Sequence, residues 1–268
     1  MGLPGTVSTS SRYARDEGIV LKKRDFSEMD TIVTLFARRR GKFQAIAKGA
    51  RKLGNRFGAS LDLFCVCDFF LYTASGMTNI VQTKIQRSFR DLLREWITWI
   101  GGEYVLYLVD RVLEEEKPEG KVFDRLIEVW KNMLLVRGDE LKVGLLTLWF
   151  RVVLITSLGV TPCLSECISC GRSLGKEESF LSISQGGRIC RYCARSGQDL
   201  LPLSPFLGVV LLYLFSHSLE ALLRLRLKRE EFLFFDRTVS AYLGYHTEKK
   251  IDPLFYFLEQ VKGNTYNI

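Results

Sequence analysis

Histidine is almost missing from this 268-residue chain: there are two, His217 and His246, far apart in sequence. No serine or cysteine can therefore be matched with a nearby histidine base, and no HExxH pair exists. Each histidine is expected on a helix surface or in packing. A phosphate loop is lacking too, because Gly41–Lys52 contains glycine and lysine but no GxxxxGKS or GxxxxGKT. Glu114, Glu115 and Glu116 are consecutive, so they point in different directions and are expected at a solvated helix end. With no catalytic constellation in view, a non-enzymatic protein is expected.

Long apolar runs are also absent. Arg151 interrupts Leu141–Val160, and Leu200–Phe215 is too short to span a bilayer, so both are expected as buried helices and no membrane association is expected. Met1–Arg15 has glycine, serine and threonine but no apolar core, which predicts a flexible leader rather than a secretory signal. Seven cysteines without an export signal argue against a disulfide framework and for reduced thiols or metal ligation in the cytosol. No internal repeat and no low-complexity tract is present.

Hydrophobic residues make up 47% of the chain, which is ample for real cores and excludes a disordered chain. At roughly 150 residues per domain, about two domains are expected. Lys and Arg total 38 against 30 for Asp and Glu, a net charge of +8. Residues 1–85 hold 14 basic and 7 acidic residues, or +7, which leaves +1 for residues 86–268. A polyanionic partner for the amino-terminal part is consistent with that imbalance.

Hydrophobic periodicity changes near the same point. Gly18–Lys23, Thr31–Ala37, Lys42–Lys48, Leu61–Tyr72 and Asn79–Ile85 are rich in β-branched and aromatic residues, which predicts five strands in a domain over 16–86. Five strands suffice for an OB-fold barrel, and an SH3-like barrel explains the same strings. From residue 87 the period is helical. Helices are expected from Leu92 to Val112 with a bend at Gly101 and Gly102, then over Val122–Val136, Glu140–Leu158, Leu203–Leu227, Phe232–Leu243 and Pro253–Val261. The expected fold class is α+β: a five-stranded OB barrel, then a helical domain over 87–268 with a cysteine insert at about 163–196.

That insert carries the strongest local signal. Cys167-Ile-Ser-Cys170 is followed, after 19 residues, by Cys190-Arg-Tyr-Cys193. Two such turns supply the tetrahedral sulfur shell of structural zinc, one ion per chain, with no position left open for catalysis. Gly171, Gly186 and Gly187 suit the tight turns. Two redox dithiols or four ordinary buried cysteines are the alternatives. Cys163 is either a substitute ligand or a spectator thiol, and Cys65 and Cys67 alternate along an apolar strand as small core residues.

Between Arg38 and Arg56 stand Arg38, Arg39, Arg40, Lys42, Lys48, Arg51, Lys52 and Arg56, with no acid among them. Lys22, Lys23 and Arg24 end the first strand, and Phe26, Phe43 and Phe57 are interspersed. This mixture suits a groove that pairs phosphate contacts with base stacking. A solvated face with core aromatics is the alternative.

Several of these parts occur in an order that resembles the RecO family of bacterial recombination mediators, from about Asp16 to Val261. They are Glu17-Gly-Ile-Val-Leu-Lys-Lys-Arg, Glu28-Met-Asp-Thr-Ile-Val-Thr-Leu-Phe, and Gly41-Lys-Phe-Gln-Ala-Ile-Ala-Lys-Gly-Ala-Arg-Lys, then Gly159-Val-Thr-Pro162, the two cysteine pairs, and Tyr242-Leu-Gly-Tyr-His246. The resemblance implies binding of single- and double-stranded DNA, annealing of complementary strands, and work with RecR and the single-stranded DNA-binding protein SSB to load RecA. It implies a bacterial cytoplasmic, nucleoid-associated protein. By position it assigns DNA backbone contact to Lys48, Arg51, Lys52 and Arg56, and metal ligation to Cys167, Cys170, Cys190 and Cys193. The acidic SSB tail ends in an apolar residue, so an apolar groove with a basic rim is expected on the helical domain. A leader longer than the family needs and the extra thiol of Cys163 depart from the pattern. Outside the resemblance, a zinc-containing RNA-binding module and a protein-only scaffold fit the same residues.

Overall fold

The computed structural model describes residues 12–74, 76–195 and 200–255. Its contacts divide into two units, Met1–Arg90 with Glu114–Phe123, and Asp91–Leu113 with Asp124–Ile268. The first unit thus takes in residues 114–123, which were expected to belong to the helical domain over 87–268.

Alternating apolar residues build the five strands of the first unit: β1 (Tyr13–Asp25), β2 (Thr31–Ala37), β3 (Gly41–Ala47), β4 (Cys65–Ala74) and β5 (Met77–Ser88). They close as β1-β2-β3-β5-β4, with β4 returning to β1 and a single parallel contact, Ile46 to Asn79, joining β3 to β5. This is the Greek-key closure of the OB-fold. Val20, Val33, Leu35, Phe43, Cys65, Cys67, Phe69, Leu71 and Ile80 fill the interior. The two cysteines share that core as expected, and burial pushes the Cys67 thiol up to about 12. β2 is buried along its whole length, and Phe36 packs against Phe123 with ring centroids 5.5 Å apart.

Three expectations change here. Tyr13–Arg15, assigned to the leader, extend β1 because they pair with Phe70–Tyr72 of β4; Met1–Ser11 lie outside the described residues. Residues Leu61–Phe64 precede β4, with Leu61 closing a 3-10 turn, Gly58–Leu61. Phe43 and Phe57 belong to the barrel core and are closed to bases, whereas Phe26 is exposed.

The long helices are α1 (Trp96–Val112), α3 (Glu140–Ser157) and α6 (Arg229–Thr247) of the second unit and α2 (Gly120–Leu135), whose residues from Asp124 onward belong to it. α1 runs unbroken through Gly101 and Gly102. What Gly101 provides is proximity, since a Cβ there would lie 2.5 Å from Val143 Cγ1 of α3. Gly144 does the same for α6: its Cβ would meet the Phe232 ring at 2.6 Å. α3 is buried on nearly all sides, and Arg151 survives there because Asp236 of α6 accepts its Nη2 at 2.6 Å while Ser240 Oγ accepts from Nη1 at 2.6 Å.

The expected helix Leu203–Leu227 is two, α4 (Pro205–Ser216) and α5 (Leu219–Leu222), because His217 and Ser218 turn extended between them. Most of the expected helix Pro253–Val261 lies outside the described residues. Between α3 and α4 the insert forms β6 (Ser179–Ser182), β7 (Gly187–Cys190) and β8 (Leu200–Leu203), ordered β7-β6-β8. Among the described residues no helix is long and apolar enough to cross a membrane.

Candidate nucleic-acid interface and metal centre

The eight cations that stand together in sequence part company in space. Asp16, buried in the barrel wall, accepts the backbone N–H of Arg39 at 3.2 Å and of Arg40 at 3.0 Å, which fixes the β2–β3 turn. Arg39 Nη2 donates to the Arg15 carbonyl. Glu17 takes Arg38 at 2.8 Å and Arg87 at 2.7 Å. Arg40 is held by both oxygens of Glu116 at 2.7 Å, donates to Thr78 Oγ1 at 2.9 Å, and lies 4.0 Å from the Phe43 ring centroid. Glu116 is therefore a barrel ion-pair partner, not merely part of a solvated helix end. Lys42 is buried, and its carbonyl accepts from Glu116 N at 2.8 Å.

The segment after β3 is different. Arg51 N donates to the Met29 carbonyl at 3.1 Å and Arg51 Nη1 to the Ser27 carbonyl at 3.0 Å, which joins this loop to the β1–β2 turn. Asn55 Oδ1 accepts from Phe57 N at 3.0 Å and Gly58 N at 3.1 Å, and Gly49 and Gly54 adopt φ of 72° and 69°. The loop is thus internally braced, yet its cations face water. Arg51 meets only the exposed Asp25, at 3.3 Å, while Lys48, Lys52 and Arg56 make no ion pair among the described residues. A hollow of about 520 Å³ lies between Lys48, Lys52, Arg56 and Met29. On β1, Lys23 pairs with Asp62 at 3.3 Å, Arg24 Nη2 reaches Gln44 Oε1 at 3.4 Å, and Lys22 is exposed.

In the insert, the sulfurs of Cys167, Cys170, Cys190 and Cys193 all lie within 4.8 Å of one another. A tetrahedral shell with Zn–S of about 2.3 Å has S–S edges of roughly 3.8 Å, so the cluster needs little movement to close on an ion. Burial by itself would raise the Cys167 thiol. Backbone N–H groups of Cys190, Ser169 and Cys170 outweigh it and bring Cys167 down to about 6. Four thiolates this close repel one another, so full ionisation requires a cation at their centre. The donor set fits a metal.

Gly171 and Gly186 take φ of 71° and 70°, as the turns require. Gly187 serves close approach, since a Cβ would lie 2.8 Å from the Cys163 carbonyl. Cys163 lies outside the four-sulfur cluster; its backbone pairs with Gly186 and Arg188. Arg188, fully buried, joins the insert by donating to Ser179 Oγ and to the carbonyls of Leu164 and Leu174. Sequence reasoning missed that role, as it missed Asp16, Glu17 and Glu116, because every partner is distant along the chain. An apolar groove of about 610 Å³ lies along α6, lined by Ile183, Leu201, Leu233 and Phe234 and bordered by Arg237 and Glu230. His246 packs nearby, with its Nε2 3.0 Å from the Ile183 carbonyl.

An OB barrel with a cation-bearing loop, followed by a helical unit that contains a four-cysteine cluster, defines the class of this protein. The family model described as Recombination protein O N terminal matches residues 12–89, and Recombination protein O C terminal matches residues 93–253. The chain belongs to the RecO family of DNA repair proteins, as the order of its motifs had implied. It is 29% identical over 259 residues to the DNA repair protein RecO of Oceanobacillus iheyensis, covering 94% of this chain and 98% of that protein. It is 30% identical over 191 residues to that of Bacillus pumilus, covering 71% and 72%.

Proposed function

We propose that this protein is a non-enzymatic recombination mediator that binds single- and double-stranded DNA, anneals complementary strands, and acts with RecR and SSB to load RecA in the bacterial cytoplasm at the nucleoid. The observation that carries the proposal is the braced loop whose Lys48, Lys52 and Arg56 lack acidic partners among the described residues, with Arg51 paired to the exposed Asp25. Lys22, Lys23 and Arg24 extend its positive field. Arg38, Arg39, Arg40 and Lys42 lie at the other end of β3, where Asp16, Glu17 and Glu116 offset part of their charge, and add less to that field.

Annealing breaks no covalent bond. Two strands repel through their phosphates, and a surface that neutralises several phosphates lowers that barrier while the bases find their complements. The four-cysteine cluster holds zinc, which supplies structure: it fixes the insert beside the α6 groove. The acidic, apolar-ended SSB tail occupies that groove, its last side chain among Leu233, Phe234 and Leu201 and its carboxylates toward Arg237.

The test is annealing of complementary oligonucleotides precoated with SSB, followed by fluorescence transfer. The full chain is expected to accelerate pairing, and Arg237→Glu to abolish the acceleration on coated strands while sparing naked ones. Equal effects on coated and naked strands would remove the groove from the account; no acceleration of either would remove annealing.

A further inference from the structure

A second aromatic and cationic face lies elsewhere on the barrel. β1 pairs with β4 so that Tyr13 stands opposite Tyr72 and Arg15 opposite Phe70, while β4 pairs with β5 so that Phe70 stands opposite Gln82 and Asp68 opposite Lys84. Along β4 the buried Phe69 and Leu71 alternate with Asp68, Phe70 and Tyr72, which places the latter three on the outer surface. Tyr13 is 53% and Phe70 38% exposed. Their rings lie 5.4 Å apart and nearly parallel, at 9°, and Tyr13 also meets Tyr72 at 4.8 Å.

Polar groups border these rings. A hollow of about 400 Å³ at the foot of the Phe70 ring is lined by Arg15, Asp68, Gln82 and Lys84. Arg15 is held by Asp68 at 2.8 Å, but its side chain is 65% exposed and a guanidinium has five donors, so several remain for another anion. Lys84 makes no ion pair among the described residues. An apolar protein partner would be served by aliphatic side chains and a neutral rim. Flat rings with cations on the adjoining strands instead suit single-stranded nucleic acid, whose bases stack and whose phosphates need charge.

We propose that the outer face of β1, β4 and β5 is a second single-strand site, where bases stack on Tyr13 and Phe70 and phosphates meet Arg15 and Lys84. It rests on the DNA-binding function above and extends it. Tyr13 and Lys22 are roughly 30 Å apart along β1 at about 3.3 Å per residue, and the basic loop meets β1 near its other end, where Arg51 pairs with Asp25. Two sites on one barrel let the protein hold one strand while presenting another, which is what annealing requires.

The test is anisotropy of a labelled single-stranded oligonucleotide with the full chain, combined with photocrosslinking of 5-iododeoxyuridine DNA. Tyr13→Ala with Phe70→Ala is expected to weaken binding at least about fivefold, the lower end for one lost base stack, without changing the salt slope. Tyr13→Phe with Phe70→Tyr should restore it, and crosslinks should map to Tyr13 or Phe70. Both side chains are partly exposed, so only a small drop in melting temperature is expected, from the lost Tyr13–Phe70 and Tyr13–Tyr72 contacts. Unchanged affinity together with no crosslink at either residue would overturn the second site. If Arg51→Ala with Lys52→Ala still weakened binding in that case, the DNA-binding function would stand alone. Failure of the wild-type chain to bind DNA would overturn both.

Discussion

In the barrel, Arg51 and its basic neighbours sit on exposed loops with few acidic partners, whereas in the helical unit Arg151 and Arg188 are wholly buried and hydrogen-bonded on several sides. The same side chain does opposite work in the two places. Buried, with Asp236 or with Ser179 and carbonyls, it fixes helices and the insert; exposed on a braced loop, it keeps its charge for a ligand. Arg40, bidentate to Glu116, belongs with the first kind although it stands in the sequence beside the second. A count of positive residues therefore overstates the DNA-facing charge, and the positions of acids decide which cations remain.

The contrast can be broken most severely at the cysteine cluster. Metal binding in small zinc modules contributes on the order of 10–16 kcal/mol, and this insert has only a small core of its own around Leu174 and Ile189. Cys167→Ser is expected to drop zinc from about one ion per chain toward none and to open the insert to protease, with the barrel still protected. Metal analysis and limited proteolysis would check this.

Next is Asp236→Ala, which leaves the Arg151 charge buried and also removes the acceptor for Leu254 N at 3.3 Å. A loss of about 3–5 kcal/mol is expected in denaturant unfolding. An exposed pair such as Arg125 with Glu128 should by comparison change stability by less than about 1 kcal/mol.

A smaller effect is expected at Gly41, where φ is 82° and a Cβ would lie 2.0 Å from the Lys117 carbonyl oxygen. Gly41→Ala should cost about 1–3 kcal/mol by thermal melting, because the β2–β3 turn and the 114–123 segment must separate. A neutral outcome would mean that this close approach does not matter to the barrel.

Much of this architecture was legible because local pattern and tertiary environment agree. β-Branched and aromatic enrichment in five segments matched the five barrel strands, and paired cysteines at zinc spacing found one another in space. What could not be read depends on residues far apart in the chain. Phe43 and Phe57 look like stacking residues beside lysines and arginines, but the barrel needs them inside. Gly101 and Gly102 look like a helix bend until Val143 of another helix is seen against the first. Tyr13 sits in a stretch without apolar periodicity, and only its partner Tyr72 reveals a strand. The break between α4 and α5 falls at His217 and Ser218, where no proline or glycine marks it.

The most direct measurement is the salt dependence of single-strand binding by the full chain, compared with Arg51→Ala combined with Lys52→Ala. About six phosphate contacts predict a slope of log K against log salt near −4, reduced by roughly one to two units in the variant with its fold intact. A slope identical in both proteins would contradict the assignment of the braced loop as the DNA-facing charge.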